Sequence, residues 1–316
     1  MTDVSAPGPL LFGVGLPNFG DAVDQLGARE MAVAIEEAGF DGVWLTDHVA
    51  LPQQLTSQYP FSPDGSFFVP EGGAWYEPIV LLGYLAAVTK HVKIGIGVCV
   101  VSLRDPRLLS QQLAAVDRLS GGRVVLAAGA GWLEEEFEAL EVPFRNRGAR
   151  MEASIALMRA CWTGRPRAGT YGPYRVANDL LTNPTPAQER IPVLLAGEGE
   201  RSLRRIVEHG DGWYGAVGAN GTIDPGHVVE VVARLHELAV DRGRAPESLT
   251  MAMRLAFPSR ELGSQSVADQ LLALAEAGIT EFTIDFGWRG VADGRASLEA
   301  LAGTVDHVRR VTDRTK

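Results

Sequence analysis

The sequence predicts a (β/α)8 barrel. Eight short apolar runs alternate with helical stretches along the whole chain. Several of the runs are apolar almost without a break, as strands covered on both faces are. The main rival, a doubly wound dinucleotide-binding sheet, is weakened because no short GxGxxG loop joins the first strand to the first helix. At 316 residues, with no clean composition break, one barrel domain spanning 1–316 is expected.

The elements follow in order. "LFGVGLPN" (11–18) reads as strand one, and 24–40 as an amphipathic helix with apolar residues three and four apart, stopping at Gly39. "DGVWLTD" (41–47) is strand two, followed after a long segment by a helix at 77–90. Strand three is "VKIGIGVCVV" (92–101), and the helix at 106–120 starts on Pro106, suited to a first turn. "GRVVLAAGAG" (122–131) is strand four, with helices at 132–140 and 147–161. Strand five, 191–197, leads into a helix at 200–210, and strand six, 212–218, into one at 224–242. Strand seven, 249–258, and strand eight, 281–288, precede helices at 265–278 and 295–312.

Two connections are long, and long loops in a compact domain are usually lids, binding loops or disorder. Segment 48–75 carries Tyr59, Phe61, Phe67, Phe68 and Trp75, an aromatic content that argues against plain disorder. Segment 162–190 carries Tyr171, Tyr174 and the arginines Arg165, Arg167 and Arg175.

The net charge of −10 disfavours nucleic acid and anionic membrane surfaces as partners. Two cysteines, Cys99 and Cys161, make neither a disulfide framework nor a zinc set, and no HExxH or GxSxG motif occurs. The start, "MTDVSAPGPL", lacks a basic, apolar leader, and no stretch reaches the roughly 18 apolar residues of a membrane helix. A cytoplasmic protein acting on a small molecule is expected.

In a barrel the chemistry sits at the C-terminal strand ends. Strand one ends at Asn18 and strand two at Asp47 and His48. Adjacent strand residues point to opposite faces, so Asp47 and His48 are not expected to form one dyad. The alternative for both is an ordinary surface turn. Glycines crowd three other ends: Gly95 and Gly97, Gly129 and Gly131, Gly197 and Gly199. The turn "AGEGERSLRRI" leads straight into a helix, so free amides and the helix dipole could meet a phosphate there. Its rival is a plain strand-to-helix turn. The acidic run 134–137 reads as a solvated first helix turn, and Trp132 as a pocket wall.

Taken in order, "EEAGFDGVWLTDH", "GIGVCVVSLRDPRLLSQQLAAVDRLSGGRVVLAAGAGW", "EEEFEALEVPFRNRGARMEASIALMRACWTG" and "PVLLAGEGERSLRRIVEHGDGW" resemble the luciferase-like monooxygenase superfamily, nearest its actinobacterial coenzyme F420-dependent branch. "DRLSGGR" and "HGDGW" are the most specific pieces. The resemblance implies a barrel with an insertion, placed here at 162–190, and a flavin or deazaflavin ring across the mouth. It implies a bulge with a non-prolyl cis peptide at Gly97, Val98 and Cys99 that props the ring. It also implies ring contacts from Gly129, Ala130 and Gly131, a cofactor phosphate on Ala196, Gly197, Glu198 and Gly199, and a common dimeric arrangement. Asp47 and His48 match residues that touch ring or substrate, with His48 assigned to proton transfer and Asp47 to the ring; histidine titrates near neutral pH. Asn18, Trp44, Trp75 and Trp132 are expected in the substrate pocket.

Two departures stand out. Sugar-phosphate dehydrogenases of the family carry a glutamate where this chain has Trp132, which disfavours a sugar phosphate. Glu198 puts a carboxylate inside the phosphate turn, where it would repel the anion unless it pointed away. The expected activity is hydride exchange between F420 and a small, mostly apolar substrate. A reduced-FMN monooxygenase and a ligand-binding barrel without turnover are the alternatives.

Overall fold

Eight parallel strands close into a barrel in the order β1-β10-β9-β8-β7-β4-β3-β2 in the computed structural model, which describes residues 9–60, 62, 64–67, 75–216 and 224–314. The strands are β1 (Leu11–Gly15), β2 (Gly42–Leu45), β3 (Lys93–Val100), β4 (Val124–Gly129), β7 (Val193–Leu195), β8 (Gly212–Ala216), β9 (Thr250–Ala256) and β10 (Glu281–Asp285). β5 (Gly169–Tyr171) and β6 (Tyr174–Val176) form a separate antiparallel hairpin. The helices are α1 (Asp21–Leu26), α2 (Ala28–Glu37), α3 (Pro78–Val88), α4 (Pro106–Ser120), α5 (Glu134–Ala139), α6 (Arg147–Trp162), α7 (Glu200–His209), α8 (Pro225–Asp241), α9 (Gln265–Glu276) and α10 (Val291–Arg314). All eight expected barrel strands are present; the expected end of strand six, Val217 and Gly218, lies outside the described residues.

The first expected helix is two. Gly27 has a φ of 81°, outside helical space, and breaks the run into α1 and α2. Periodicity could not register this break, because the apolar spacing continues across it.

The core has two layers divided by the strand wall. Outward residues such as Val43, Leu45, Ile94 and Ile96 pack with the helices. The inward layer is small: Trp44, Val125, Ala127, Leu194, Tyr214 and Ala252. Trp44 and Tyr214 stand 5.3 Å apart, ring to ring, and fill the bore. Their bulk dictates the glycines opposite. A Cβ on Gly95 would lie 2.6 Å from the Trp44 ring, and one on Gly97 would lie 2.4 Å from the Tyr214 hydroxyl. The glycines of strand three thus make room for rings as well as for any ligand above.

Above Tyr214 sits a charge. Arg254 donates to both carboxylate oxygens of Asp285, at 2.6 and 2.8 Å, and also to Gly97 O. Burial opposes the Arg254 charge, but Asp285 outweighs it and holds the guanidinium pKa above its ordinary value. Burial pushes the Tyr214 hydroxyl up to about 12, so it stays protonated and donates to Thr283 Oγ1 at 3.1 Å.

The insertion at 162–190 runs along the outside of the barrel. Tyr174 packs with Ala153, Leu157 and Cys161 of α6, and its hydroxyl meets Ser154 Oγ at 2.9 Å. The returning chain is tied to α4, where Asp117 accepts from Ala187 N at 2.8 Å and Gln188 N at 3.0 Å. Arg167 pairs with Asp179 in the same strap.

Two glycines make opposite predictions. Gly95→Ala forces a methyl against a buried indole and should cost about 1–3 kcal/mol in urea unfolding. Gly303, exposed inside α10 with open space around its Cα, should gain about 0.5–1 kcal/mol as Gly303→Ala by the same measurement.

Candidate active site

The end of β2 divides its two polar residues between two networks. Asn18 sets the exit. Its amide donates to Thr46 O and Tyr76 O, both at 3.0 Å, while its oxygen accepts from Thr46 N at 3.0 Å and Thr46 Oγ1 at 2.8 Å. Every polar atom of Asn18 is thereby spent on backbone and threonine, so it braces the mouth and offers nothing to a substrate.

Asp47 is fully enclosed. Arg104 grips it in bidentate fashion at 2.6 and 2.7 Å, and Val100 N donates to it at 2.8 Å. The Asp47 carboxylate therefore ties β2 to the end of β3 and to the turn after it. In this clamp the Asp47 side chain is 0% exposed, so its part in this structure is to brace the two strand ends. Burial opposes the Arg104 charge, and the Asp47 carboxylate outweighs it. Cys99, next to this pair, is buried; burial and the Asp47 charge push its thiol well up, so it is an inert filler.

His48 goes the other way. Its Nδ1 lies 3.0 Å from Glu136 Oε2. Glu136 Oε1 accepts from Val49 N at 2.6 Å and Ala50 N at 3.1 Å. As a carboxylate Glu136 only accepts, so Nδ1 carries the hydrogen and Nε2 is the reactive nitrogen. No hydrogen bond engages Nε2 among the described residues.

Aromatic rings surround this imidazole. Trp75 meets it edge-on at 4.9 Å, Phe67 at 5.1 Å and Trp132 at 6.3 Å. Tyr59 closes the group, 5.0 Å from Phe67 and 5.1 Å from Trp132. The Trp75 indole N–H is buried with no hydrogen-bond partner among the described residues. Phe61 and Phe68, expected in the same wall, lie outside the described residues. Trp44 does not join them; it fills the bore beneath.

The acidic run 134–137 is no solvated turn. Glu136 is 2% exposed and holds His48. Glu135 accepts from Thr56 N, Thr56 Oγ1, Ser57 N and Ser57 Oγ within 2.9 Å, and the Thr56 hydroxyl leads in holding its pKa below the carboxylate range. One short helix thus orients the imidazole and pins the loop that walls it. The sequence signal lay in three consecutive acids after a strand end, but their direction depends on where the distant loop lies.

The bulge expected on strand three is present. The Gly97–Val98 peptide is cis, and the register with β4 shifts between Gly97 and Cys99. A Cβ on Gly129 would sit 2.7 Å from Val98, and one on Gly131 (φ 91°) 2.6 Å from Phe137. These glycines let the bulge and α5 close on β4, and Ala130 O accepts from Ser102 Oγ at 3.1 Å.

The turn at Ala196–Gly199 fits an anion. Gly197 has a φ of 114°, Gly199 caps α7 with no side-chain hydrogen bond, and among the described residues no hydrogen bond engages the amides of Glu200 and Arg201. Glu198 points toward α8, where its Oε2 meets His227 Nε2 at 2.9 Å.

Fold and site together define a (β/α)8 barrel with an oriented imidazole under an aromatic wall and a glycine-flanked helix start at Ala196–Gly199. The chain belongs to the luciferase-like monooxygenase family, whose model matches residues 22–283. An uncharacterized protein of Mycobacterium tuberculosis is 31% identical over 257 residues, covering 81% of this chain and 83% of its own. An F420-dependent secondary alcohol dehydrogenase, solved with an F420-acetone adduct, superposes with a TM-score of 0.73 at 18% identity over 94% of this chain and 99% of its own. A monooxygenase from Streptomyces bottropensis superposes at 0.68 and 18%, over 93% and 98%. No helix among the described residues is long and apolar enough to cross a membrane.

The clamp at Asp47 yields a stability prediction. Asp47→Asn leaves Arg104 with Glu77, 3.0 Å from its Nη2, as the remaining carboxylate and should cost about 1–3 kcal/mol in denaturant unfolding. Removing both charges, as Asp47→Asn with Arg104→Met, should cost less than adding the two single losses.

Proposed function

We propose that this chain is an F420-dependent oxidoreductase acting on a small, mostly apolar carbonyl or secondary alcohol. The observation that carries the reading is His48: oriented through Nδ1 by buried Glu136, with Nε2 unengaged inside a wall of aromatic rings. The Ala196–Gly199 turn would take the cofactor phosphate, and the bulge at Gly97, Val98 and Cys99 would stand beneath the ring. When bound, F420 supplies or accepts a hydride at a ring carbon. The proton is left to the protein.

In the reducing direction the substrate oxygen gains negative charge as its carbon takes hydride. Protonated His48 gives its Nε2 hydrogen to that oxygen, and neutral imidazole remains, its Nδ1–H still held by Glu136. In the oxidising direction Nε2 takes the hydroxyl proton, and Glu136 steadies the imidazolium that forms. Tyr59, Phe67, Trp75 and Trp132 keep water from the reacting carbon and favour apolar groups beside it. Trp132 fills the place of a family glutamate acid, so His48 is the acid–base group this reading uses.

Cofactor choice is tested by titrating purified protein with F420 and with FMN, following fluorescence. F420 binding supports the reading, and tight FMN binding with none for F420 overturns it in favour of the reduced-FMN monooxygenase. With F420 and a substrate in hand, His48→Ala should lower kcat by about 10²–10⁴-fold with F420 affinity kept. Unchanged turnover would remove His48 from the chemistry.

A homodimer through α3 and α4 completes the proposal. α3 (PIVLLGYLAAV) is apolar on every face, yet Val80 and Tyr84 are exposed, as are Leu108 and Leu119 of α4. Sedimentation should give twice the monomer mass for the native chain and monomer for Val80→Glu with Leu119→Glu.

A further inference from the structure

Glu198 is the anomaly of the anion turn, since a carboxylate between Gly197 and Gly199 opposes the ligand the turn would bind. The fold answers it from another element. His227, in the first turn of α8, meets Glu198 Oε2 through Nε2 at 2.9 Å. Both side chains are open to water, at 51% for His227 and 41% for Glu198. A protonated imidazole there cancels the carboxylate charge, and a neutral one does not.

We propose that His227 belongs to the anion-binding site, neutralising Glu198 when protonated, so that affinity for the cofactor phosphate falls as pH rises. The inference rests on the reading of Ala196–Gly199 as a phosphate turn. The hydrogen bond to Glu198 comes first among the causes that raise the His227 pKa above its ordinary value, with the charges of Glu230 and Asp224 assisting. The sign follows. Below the ordinary histidine range His227 is charged and Glu198 is cancelled. As pH climbs through the raised value, the proton leaves and the turn regains a net negative charge.

Other charges near the pair do not supply this switch. Asp224 is engaged by Gly226 N at 2.9 Å, and Glu230 follows on α8. Glu200 is taken by Arg204 and Arg234, which lead in holding its pKa down to about 2, so it does not titrate in this range. Arg201, in the first turn of α7, is a constant positive charge. The chain between strand six and α8, 217–223, contains no titratable residue. His227 is thus the nearby group whose charge changes as pH climbs through its raised value.

The experiment is a pH series of F420 affinity from pH 5.5 to 9 by fluorescence, at low and at high salt. A phosphodiester keeps one charge across that range, and the ratio of wild-type to His227→Gln affinity at each pH removes any titration of the ligand itself. Wild type should weaken by about fivefold across the His227 titration at low salt, the scale of one exposed charge at contact distance, and by less at high salt. His227→Gln should show the weak, high-pH affinity throughout. Glu198→Gln should bind better at pH 8.5, with any remaining dependence moved to lower pH. A flat wild-type profile, or variants that keep the wild-type profile, overturns the inference while F420 binding itself stands. Failure to bind F420 at every pH overturns it together with the phosphate reading.

Discussion

The grip of Arg104 on Asp47 fixes the geometry on which the site depends. Asp47 lies two residues beyond β2, Val100 ends β3, and Arg104 follows the turn; one carboxylate joins all three. Past the end of β2, with Asp47 anchored on one side, His48 turns to the other. There it finds Glu136 of α5, and the loop after it finds the same carboxylate through Val49 N and Ala50 N. The charge pair is costly to bury, and its two hydrogen bonds with a third from Val100 N offset that cost.

A second buried charge organises the floor. Arg254 leaves β9, pairs with Asp285 at the end of β10, and reaches Gly97 O on β3. Leu45 O on β2 lies 3.4 Å from the same guanidinium. Four strands thus converge on one side chain, which accounts for an arginine inside an otherwise apolar run.

Much of the fold was legible. Strand alternation and helix spacing are local properties, and they located the eight barrel strands and the helices around them. Gly27 escaped because one glycine breaks a helix without disturbing its apolar period. The most recognisable motifs carry bracing: Asp117 of "DRLSGGR" holds the insertion's return, and Asp211 of "HGDGW" accepts from Val193 N at 2.8 Å and Arg159 at 2.9 Å. Their specificity comes from packing constraints, which are strict at the ends of strands. The site was legible in part. His48, Trp75 and Trp132 do gather, whereas Asn18, Asp47 and Trp44 are spent on structure, and Glu136 was hidden in what read as a solvated acidic turn.

The sequence by itself determined the barrel and the family resemblance, and through that resemblance the bulge position on β3, because each rests on contiguous residues. Tertiary structure decided which polar groups face the mouth. Asp47 and His48 are chain neighbours with opposite fates, since one meets Arg104, 57 residues on, and the other meets Glu136, 88 residues on. Likewise Glu198 is drawn to His227, 29 residues away. A side chain's chemistry depends on its partner, and partners at such separations are fixed only when the barrel closes.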